Sequence, residues 1–288
     1  MSTVTVAAIQ AKPTVGDFDA LRAGDDAPHA VELLRKAKEA GADIACLPEM
    51  YPLGGEEAVR DAARELGMWV VAGLAKEVGG GHWHNTATFI SDTGEVVGRQ
   101  PKCYPTANEV ASGVVAGRDY EVFETPLGRL GAVICADFAF ANRGVAELCR
   151  QRVDVIFNPS WWFALGEAYK SSVIGRHLEY GVPVIGVDIA AVALTRDVDG
   201  ERKRLFPPAG GFTTIAVTPP VDTLDGLGDW FRGKAGGSNS NDGYIQSLGE
   251  DEGMLVADID VEGVRRFPGY WYSEDAPATH EVNIGATP

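Results

Sequence analysis

The chain has few cysteines, no long apolar run and no excess of positive charge, and each deficit excludes something. Four cysteines in 288 residues (Cys46, Cys103, Cys135 and Cys149), with no Cys-x-x-Cys pair, do not make a disulfide scaffold. No apolar stretch approaches the ~20 residues of a membrane span, and Met1-Ser2-Thr3-Val4 lacks the basic start of a signal peptide. A reduced, cytoplasmic protein is therefore expected. With a net charge of −16, no basic patch is present to neutralise phosphates or dock on anionic lipid, so neither nucleic acid nor a membrane is an expected partner. No glycine-rich phosphate cradle appears, so no nucleotide cofactor is expected. His82 and His84 flank Trp83 at strand spacing, but no third ligand is in view and Gly79 to Gly81 reads as a hairpin tip. No metal is assigned.

What is present is a 45% hydrophobic chain long enough for a large core. Thr3 to Gln10 is rich in β-branched residues and reads as a strand. Asp25-Asp26-Ala27-Pro28 signals a helix start with capping aspartates, and Ala30, Leu34 and Ala37 continue it to Gly41. A short buried strand, Ile44 to Leu47, ends at Pro48-Glu49. A helix over Glu56 to Leu66 closes at Gly67, and a strand runs from Met68 to Ala75. Thr86–Ile90 and Glu95–Arg99 pair across the Asp92-Thr93-Gly94 turn. Later come helices over Arg143 to Gln151 and about Leu165 to Tyr180. The later strands are Val153–Asn158, Val182–Ile189, Gly211–Val217 and Met254–Asp260.

Ala42-Asp43-Ile44-Ala45-Cys46-Leu47-Pro48-Glu49 matches Val153-Asp154-Val155-Ile156-Phe157-Asn158-Pro159-Ser160 in pattern. Both give an Asp, an apolar strand and a polar strand end after proline, as two similar α/β halves would. Residues 1–288 read as one α/β domain with mixed sheets. Its irregular parts are a Pro-, Gly- and Ser-rich loop at about 218–243 and a C-terminal tail from about 265 that carries the aromatic run Phe267 to Tyr272.

Cys135 ends the apolar strand Leu130 to Ile134, ahead of a helix. A helix N-terminus there favours a thiolate, and a strand-to-helix turn holds a nucleophile rigidly. Amide cleavage also needs a proton shuttle and a group to hold the oxyanion. Burial would raise a glutamate toward the thiol, and an ammonium would lower the thiol. Glu49 and Lys102, each at a strand end, supply those types.

In this order the three residues resemble the nitrilase superfamily of carbon–nitrogen hydrolases. The resemblance runs through VAAIQ (6–10), ADIACLPE (42–49), GRQPK (98–102), GRLGAVICAD (128–137) and DVIFNPSWW (154–162). It continues through Arg176 to Glu179 and GMLVADIDVEGVRR (253–266). It implies a four-layer α-β-β-α sandwich of two mixed sheets with pseudo-two-fold halves. It also implies Glu49 as general base, Lys102 as the cation beside the oxyanion and Cys135 as nucleophile. Glu109 stands where the family often has a second glutamate that positions substrate. Trp161 and Trp162, directly after a strand end, and Phe138 beside the cysteine are candidate substrate contacts; Phe163 belongs to the same aromatic run.

The implied reaction is hydrolysis of a small amide through a cysteine thioester, with no cofactor. Nitrile or N-carbamoyl substrates, and a non-catalytic binding member of the family, are the alternatives. A homodimer or higher homo-oligomer is implied as well. The chain departs from the family pattern in the short Leu53-Gly54-Gly55 link after Glu49, in Phe140-Ala141-Asn142 where Phe-Pro-Glu is usual, and in the 218–243 loop. Each departure bears on substrate choice.

Overall fold

The computed structural model describes residues 3–139, 143–162, 166–192, 195–204, 210–217 and 244–266. Phe140-Ala141-Asn142, Phe163, the 218–243 loop and the 267–272 aromatic run lie outside the described residues.

Among the described residues, seven strands form one sheet. These are β1 (Thr3–Gln10), β2 (Ile44–Cys46), β3 (Pro52–Leu53), β4 (Trp69–Gly79), β5 (His82–Ile90), β6 (Val96–Pro101) and β15 (Gly253–Asp260). Their order is β15-β1-β2-β4-β5-β6, with β3 beside β4. A second sheet, in the order β14-β13-β10-β9-β8-β7, uses β7 (Val122–Thr125), β8 (Gly128–Ala132), β9 (Val155–Ser160), β10 (Val184–Asp188), β13 (Thr214–Ala216) and β14 (Ile245–Ser247). A two-stranded ribbon, β11 (Thr195–Val198) and β12 (Glu201–Arg204), stands apart from both.

Each sheet centres on three parallel strands, β1-β2-β4 in one and β10-β9-β8 in the other, with antiparallel strands on both flanks. The two segments that match in sequence, β2 and β9, are the middle strands of the two trios. The pseudo-two-fold halves are therefore built on the repeat that the sequence displays.

Alternation along β1 shows how the layers arise. Val4, Val6 and Ala8 enter the core between the sheets, with Phe89, Leu130 and Phe157. Ala7 and Ile9 point the other way, into a second core under the helices. That outer layer is α2 (Ala27–Glu39) and α3 (Glu56–Leu66), which bury Ala30, Leu34 and Ala37, and Val59, Ala62 and Ala63. On the far side α6 (Arg143–Arg150) and α7 (Gly166–Tyr180) bury Val145, Leu148 and Val173 against the second sheet. The result is the four-layer sandwich. Each large apolar side chain so buried contributes about 1.5–3 kcal/mol.

Local expectations hold for α3, which ends at Gly67 in the left-handed region (φ 53°), and for the β5–β6 hairpin, where Thr88 faces Arg99. Two differ. Asp26 does not cap α2: it is fully buried, and its carboxylate instead takes the Thr14 N–H (3.1 Å) and hydroxyl. A helix the sequence reading passed over, α1 (Phe18–Ala23), is capped by the Asp17 side chain and stopped by Gly24 at φ 91°. It lies against the short link after Glu49, where a Cβ on Gly54 would meet the Arg22 carbonyl oxygen at 2.3 Å. Three further helices are α4 (Ala107–Ala111), α5 (Ala136–Ala139) and α8 (Val261–Arg266). Among the described residues no helix is long and apolar enough to cross a membrane.

Gly73 on β4 supports the chain leaving Glu49: a Cβ there would sit 2.2 Å from the Pro48 carbonyl oxygen and 2.5 Å from the Met50 nitrogen. Both are backbone atoms, so no side-chain rotation relieves the clash. Gly73→Ala is expected to destabilise the protein by about 1–3 kcal/mol. A thermal-unfolding curve unchanged from wild type would contradict it.

Candidate active site

Three strand ends, the interior of β5 and one short helix deliver the polar side chains of the site. Glu49 follows β2, and the next residue, Met50, turns sharply at φ 53°. Lys102 follows β6, its N–H bonded to the Asn85 carbonyl (2.9 Å). Cys135 follows β8 at φ 44°, a strained conformation for a residue with a Cβ. Its N–H remains bonded to the Pro159 carbonyl of β9 (3.1 Å), and α5 begins at the next residue.

These ends meet in the interior. Lys102 Nζ donates to Glu49 Oε1 (2.7 Å) and to Glu109 Oε2 (2.8 Å), and all three side chains are at most 4% exposed. Asn85 Nδ2 donates to the same two carboxylates, at 2.8 Å to Glu49 Oε1 and 2.9 Å to Glu109 Oε1. The second Glu49 oxygen accepts the Trp161 N–H (2.9 Å). The Cys135 thiol donates to the Trp161 carbonyl (3.6 Å) and lies close enough to Glu49 for each to shift the other's charge. Glu49, Met50, Lys102, Thr106, Glu109, Cys135 and Trp161 line a cavity of about 10 Å³, room for roughly one water.

Glu109 stands on a helix. It belongs to α4, where Thr106 and Glu109 form a reciprocal capping box: the Thr106 hydroxyl takes the Glu109 N–H, and Glu109 Oε2 takes the Thr106 N–H (2.7 Å). The Thr-x-x-Glu spacing was the sequence signal for this turn. One glutamate thus caps a helix and clamps Lys102.

Burial sets the electrostatics. It pushes the Glu49 carboxyl up; Lys102 opposes that shift and the Glu109 charge adds to it. For Lys102 burial works against the charge, but Glu49, Cys135 and Glu109 outweigh it and hold the ammonium protonated. The thiol does not follow the expectation of a thiolate at a helix N-terminus. Burial and the Glu49 charge push Cys135 well above an ordinary thiol, more than Lys102 lowers it, and a one-turn helix cannot reverse that. At rest the sulfur keeps its proton, beside a carboxylate that can take it.

The chain is similar to a known group of proteins. The carbon-nitrogen hydrolase profile aligns with residues 5–187. The chain belongs to the carbon-nitrogen hydrolase family. Among its relatives, the aliphatic nitrilase of Rhodococcus rhodochrous is 27% identical over 91% of this chain and 76% of its own. The omega-amidase of Bos taurus is 25% identical over 42% of this chain and 51% of its own. The carbon-nitrogen hydrolase from Helicobacter pylori G27 shares the fold at a TM-score of 0.70, with 16% identity and 93% of each chain covered. An amidase from Nesterenkonia sp. does so at 0.67, with 16% identity, 93% of this chain and 96% of that one.

As in the sequence reading, Glu49, Lys102, Glu109 and Cys135 come together in this carbon-nitrogen hydrolase, and Trp161 joins them through its backbone. Trp162 and Phe138 do not line the cavity: both are buried in the hydrophobic core, Trp162 against Tyr169 of α7. Trp83 is fully buried near Phe18, while His84 faces the Val115 carbonyl (2.7 Å). Among the described residues no group of three or more His, Cys, Asp or Glu is placed to hold a metal. Arg176 and Glu179 pair with each other on α7 (2.7 Å).

Sequence reasoning missed Asn85 and Asp137. Asp137 accepts the Cys103 and Tyr104 N–H groups (2.7 and 2.8 Å) and the Tyr120 hydroxyl (3.1 Å), so the Cys-x-Asp turn is bolted to the lysine loop. Its place two residues after Cys135 was the only hint; Asn85, inside β5, gave none.

Lys102 lowers both Glu49 and Cys135, so its removal raises both. Lys102→Met should move the pH midpoint for iodoacetamide labelling of Cys135 upward and, by leaving two buried carboxylates without a cation, cost about 3–5 kcal/mol of stability. Peptide mass spectrometry of labelling rate against pH checks the first effect. An unmoved midpoint would count against the assigned electrostatics.

Proposed function

We propose that the protein is a thiol amidohydrolase acting on a non-peptide carbon–nitrogen bond of a small amide. The observation that carries this is the buried cluster in which Lys102 is held by Glu49 and Glu109 while Cys135 faces Glu49. Glu49 accepts the thiol proton as Cys135 Sγ forms a bond to the carbonyl carbon. The oxygen gains the electron pair, and the Lys102 ammonium stabilises that charge in a dry setting where it counts most. Collapse breaks the C–N bond, and Glu49 returns the proton to the departing ammonia or amine. Water then transfers a proton to Glu49 and attacks the thioester, releasing the acid and restoring the thiol. No redox partner or cofactor enters this balance.

Glu109 and Asn85 hold Lys102 and Glu49 in place in this scheme, which suits a pre-organised site. A glutamate-to-glutamine mutant of the Nesterenkonia amidase carries the acetamide moiety of fluoroacetamide covalently at its active-site cysteine, which supports a nucleophilic sulfur in a protein of this fold. Similarity to an aliphatic nitrilase along most of the chain favours nitriles as the second reading; the same thiol would add to the nitrile carbon and two waters would be consumed.

Ammonia release from a panel of short amides, nitriles and N-carbamoyl compounds tests both readings. Cys135→Ala and Glu49→Gln should each remove most turnover, of the order of 10²-fold or more for loss of the proton shuttle. Because Glu49 must be ionised to act and burial raises it, activity should fall on the acid side with a midpoint above the ordinary carboxylate range. A Cys135→Ala variant with full turnover would overturn the proposal.

A further inference from the structure

The peptide joining Trp161 to Trp162 is held from both sides. Its carbonyl accepts the Cys135 thiol (3.6 Å), and its N–H donates to Asp188 Oδ1 (2.9 Å). One residue earlier, the Trp161 N–H donates to Glu49 (2.9 Å). A trans peptide points its C=O and N–H in opposite directions. Fixing the N–H on Asp188 therefore fixes the carbonyl on the sulfur.

Asp188 is well placed for this. It ends β10, in parallel register with Ser160 of β9, and is fully buried. Its N–H donates to the Thr213 hydroxyl (2.9 Å), and the Thr213 N–H donates to Gln10 Oε1 of β1 (2.9 Å). The residue is thus anchored to both sheets without help from the site. Oδ1 also takes the Ile189 N–H (2.9 Å), while Oδ2 has no hydrogen-bond partner among the described residues. A buried carboxyl left half-satisfied is costly for the fold, so packing alone does not account for an acid here.

We propose that Asp188 is a positioning residue for the reaction set out above: through the Trp161–Trp162 peptide it holds the carbonyl that orients the Cys135 thiol and keeps the neighbouring N–H on Glu49. The inference rests on that reading of the site. What the peptide requires is an acceptor oxygen rather than a negative charge. Burial pushes the Asp188 carboxyl well up and the Glu49 charge adds to the shift, against the two N–H groups that favour the anion. Tyr169, whose hydroxyl donates to the Asn158 carbonyl (3.1 Å), also faces it.

Asp188→Asn keeps an acceptor at Oδ1, Asp188→Leu removes it at similar volume, and Asp188→Ala leaves space for a water to satisfy the two N–H groups if leucine prevents folding. Each full-length variant is followed by thermal melting, by the rate of iodoacetamide labelling at Cys135, and by kcat and KM on the best amide of the panel. The leucine or alanine variant should label more slowly and lose kcat, by as much as ~100-fold for a displaced reacting group, with KM little changed. The asparagine variant should recover most of both. A folded leucine or alanine variant that labels at the wild-type rate overturns the inference, as does an asparagine variant as impaired as they are. Labelling needs no substrate, so slowed labelling with no amide turnover in the wild type would sink the amidase reading and leave the positioning role standing. A wild-type Cys135 that does not label would overturn both.

Discussion

A lysine ammonium buried between two carboxylates is the constraint around which the site is arranged. Removing an ion from water costs several kcal/mol even after the protein relaxes, and here three ionisable groups are at most 4% exposed. The cluster is tolerable because nearly every lone pair is used: Asn85 bridges the glutamates, the Trp161 N–H donates to the second oxygen of Glu49, and the Thr106 N–H donates to Glu109. Burial is the main reason that Glu49 and Cys135 both sit high, and one lysine between two carboxylates does not offset it. A proton is therefore kept within the cluster and can move between sulfur and carboxylate without crossing solvent.

The sandwich makes this arrangement possible. Glu49 comes from the first sheet and Cys135 from the second, and each leaves its strand through a residue in the left-handed region, Met50 and Cys135 itself. Rigid β-ladders beneath such turns supply the support that strained backbone needs. Hydrogen bonds then tie the two sheets together around the site: Asp137 to the lysine loop, Gln10 to Thr213, Glu49 to Trp161. In the proposed reaction these ties hold Glu49 and Cys135 in register, and reactivity is steep in the distance between reacting groups.

The helix α1 gives a structural meaning to the short link after Glu49. Close backbone contacts among Gly24, Gly54 and Gly55, where a Cβ would fall 2.3–2.7 Å from a neighbouring atom, let α1 lie directly on that link. Phe18 from this helix then packs toward Trp83, and Arg22 stacks over the same indole at 5.0 Å. A second small cleft, bordered by Phe18, Met50, Trp83 and Glu109, adjoins the first at Met50 and Glu109.

Much of this was written in local pattern. The β-branched run Thr3–Gln10, the glycine stop at Gly67 and the matched segments ending at Glu49 and Ser160 pointed to the strands, the helices and two similar halves, because those signals act between residues close in the chain; the four-layer sandwich came from the family resemblance. The trio Glu49, Lys102 and Cys135 was legible for the same reason, each standing at a readable strand end. Asn85 and Asp188 were not legible, since a polar residue inside an apolar strand shows nothing of what it faces until the strands are stacked. Nor was the protonation of Cys135: the sequence shows a helix start beside the thiol, but burial and a carboxylate from the other sheet decide its charge. Trp161 and Trp162 make the division plain. The sequence placed both at a strand end, and only the packing of two sheets sent one backbone into the site and the neighbouring ring into the core.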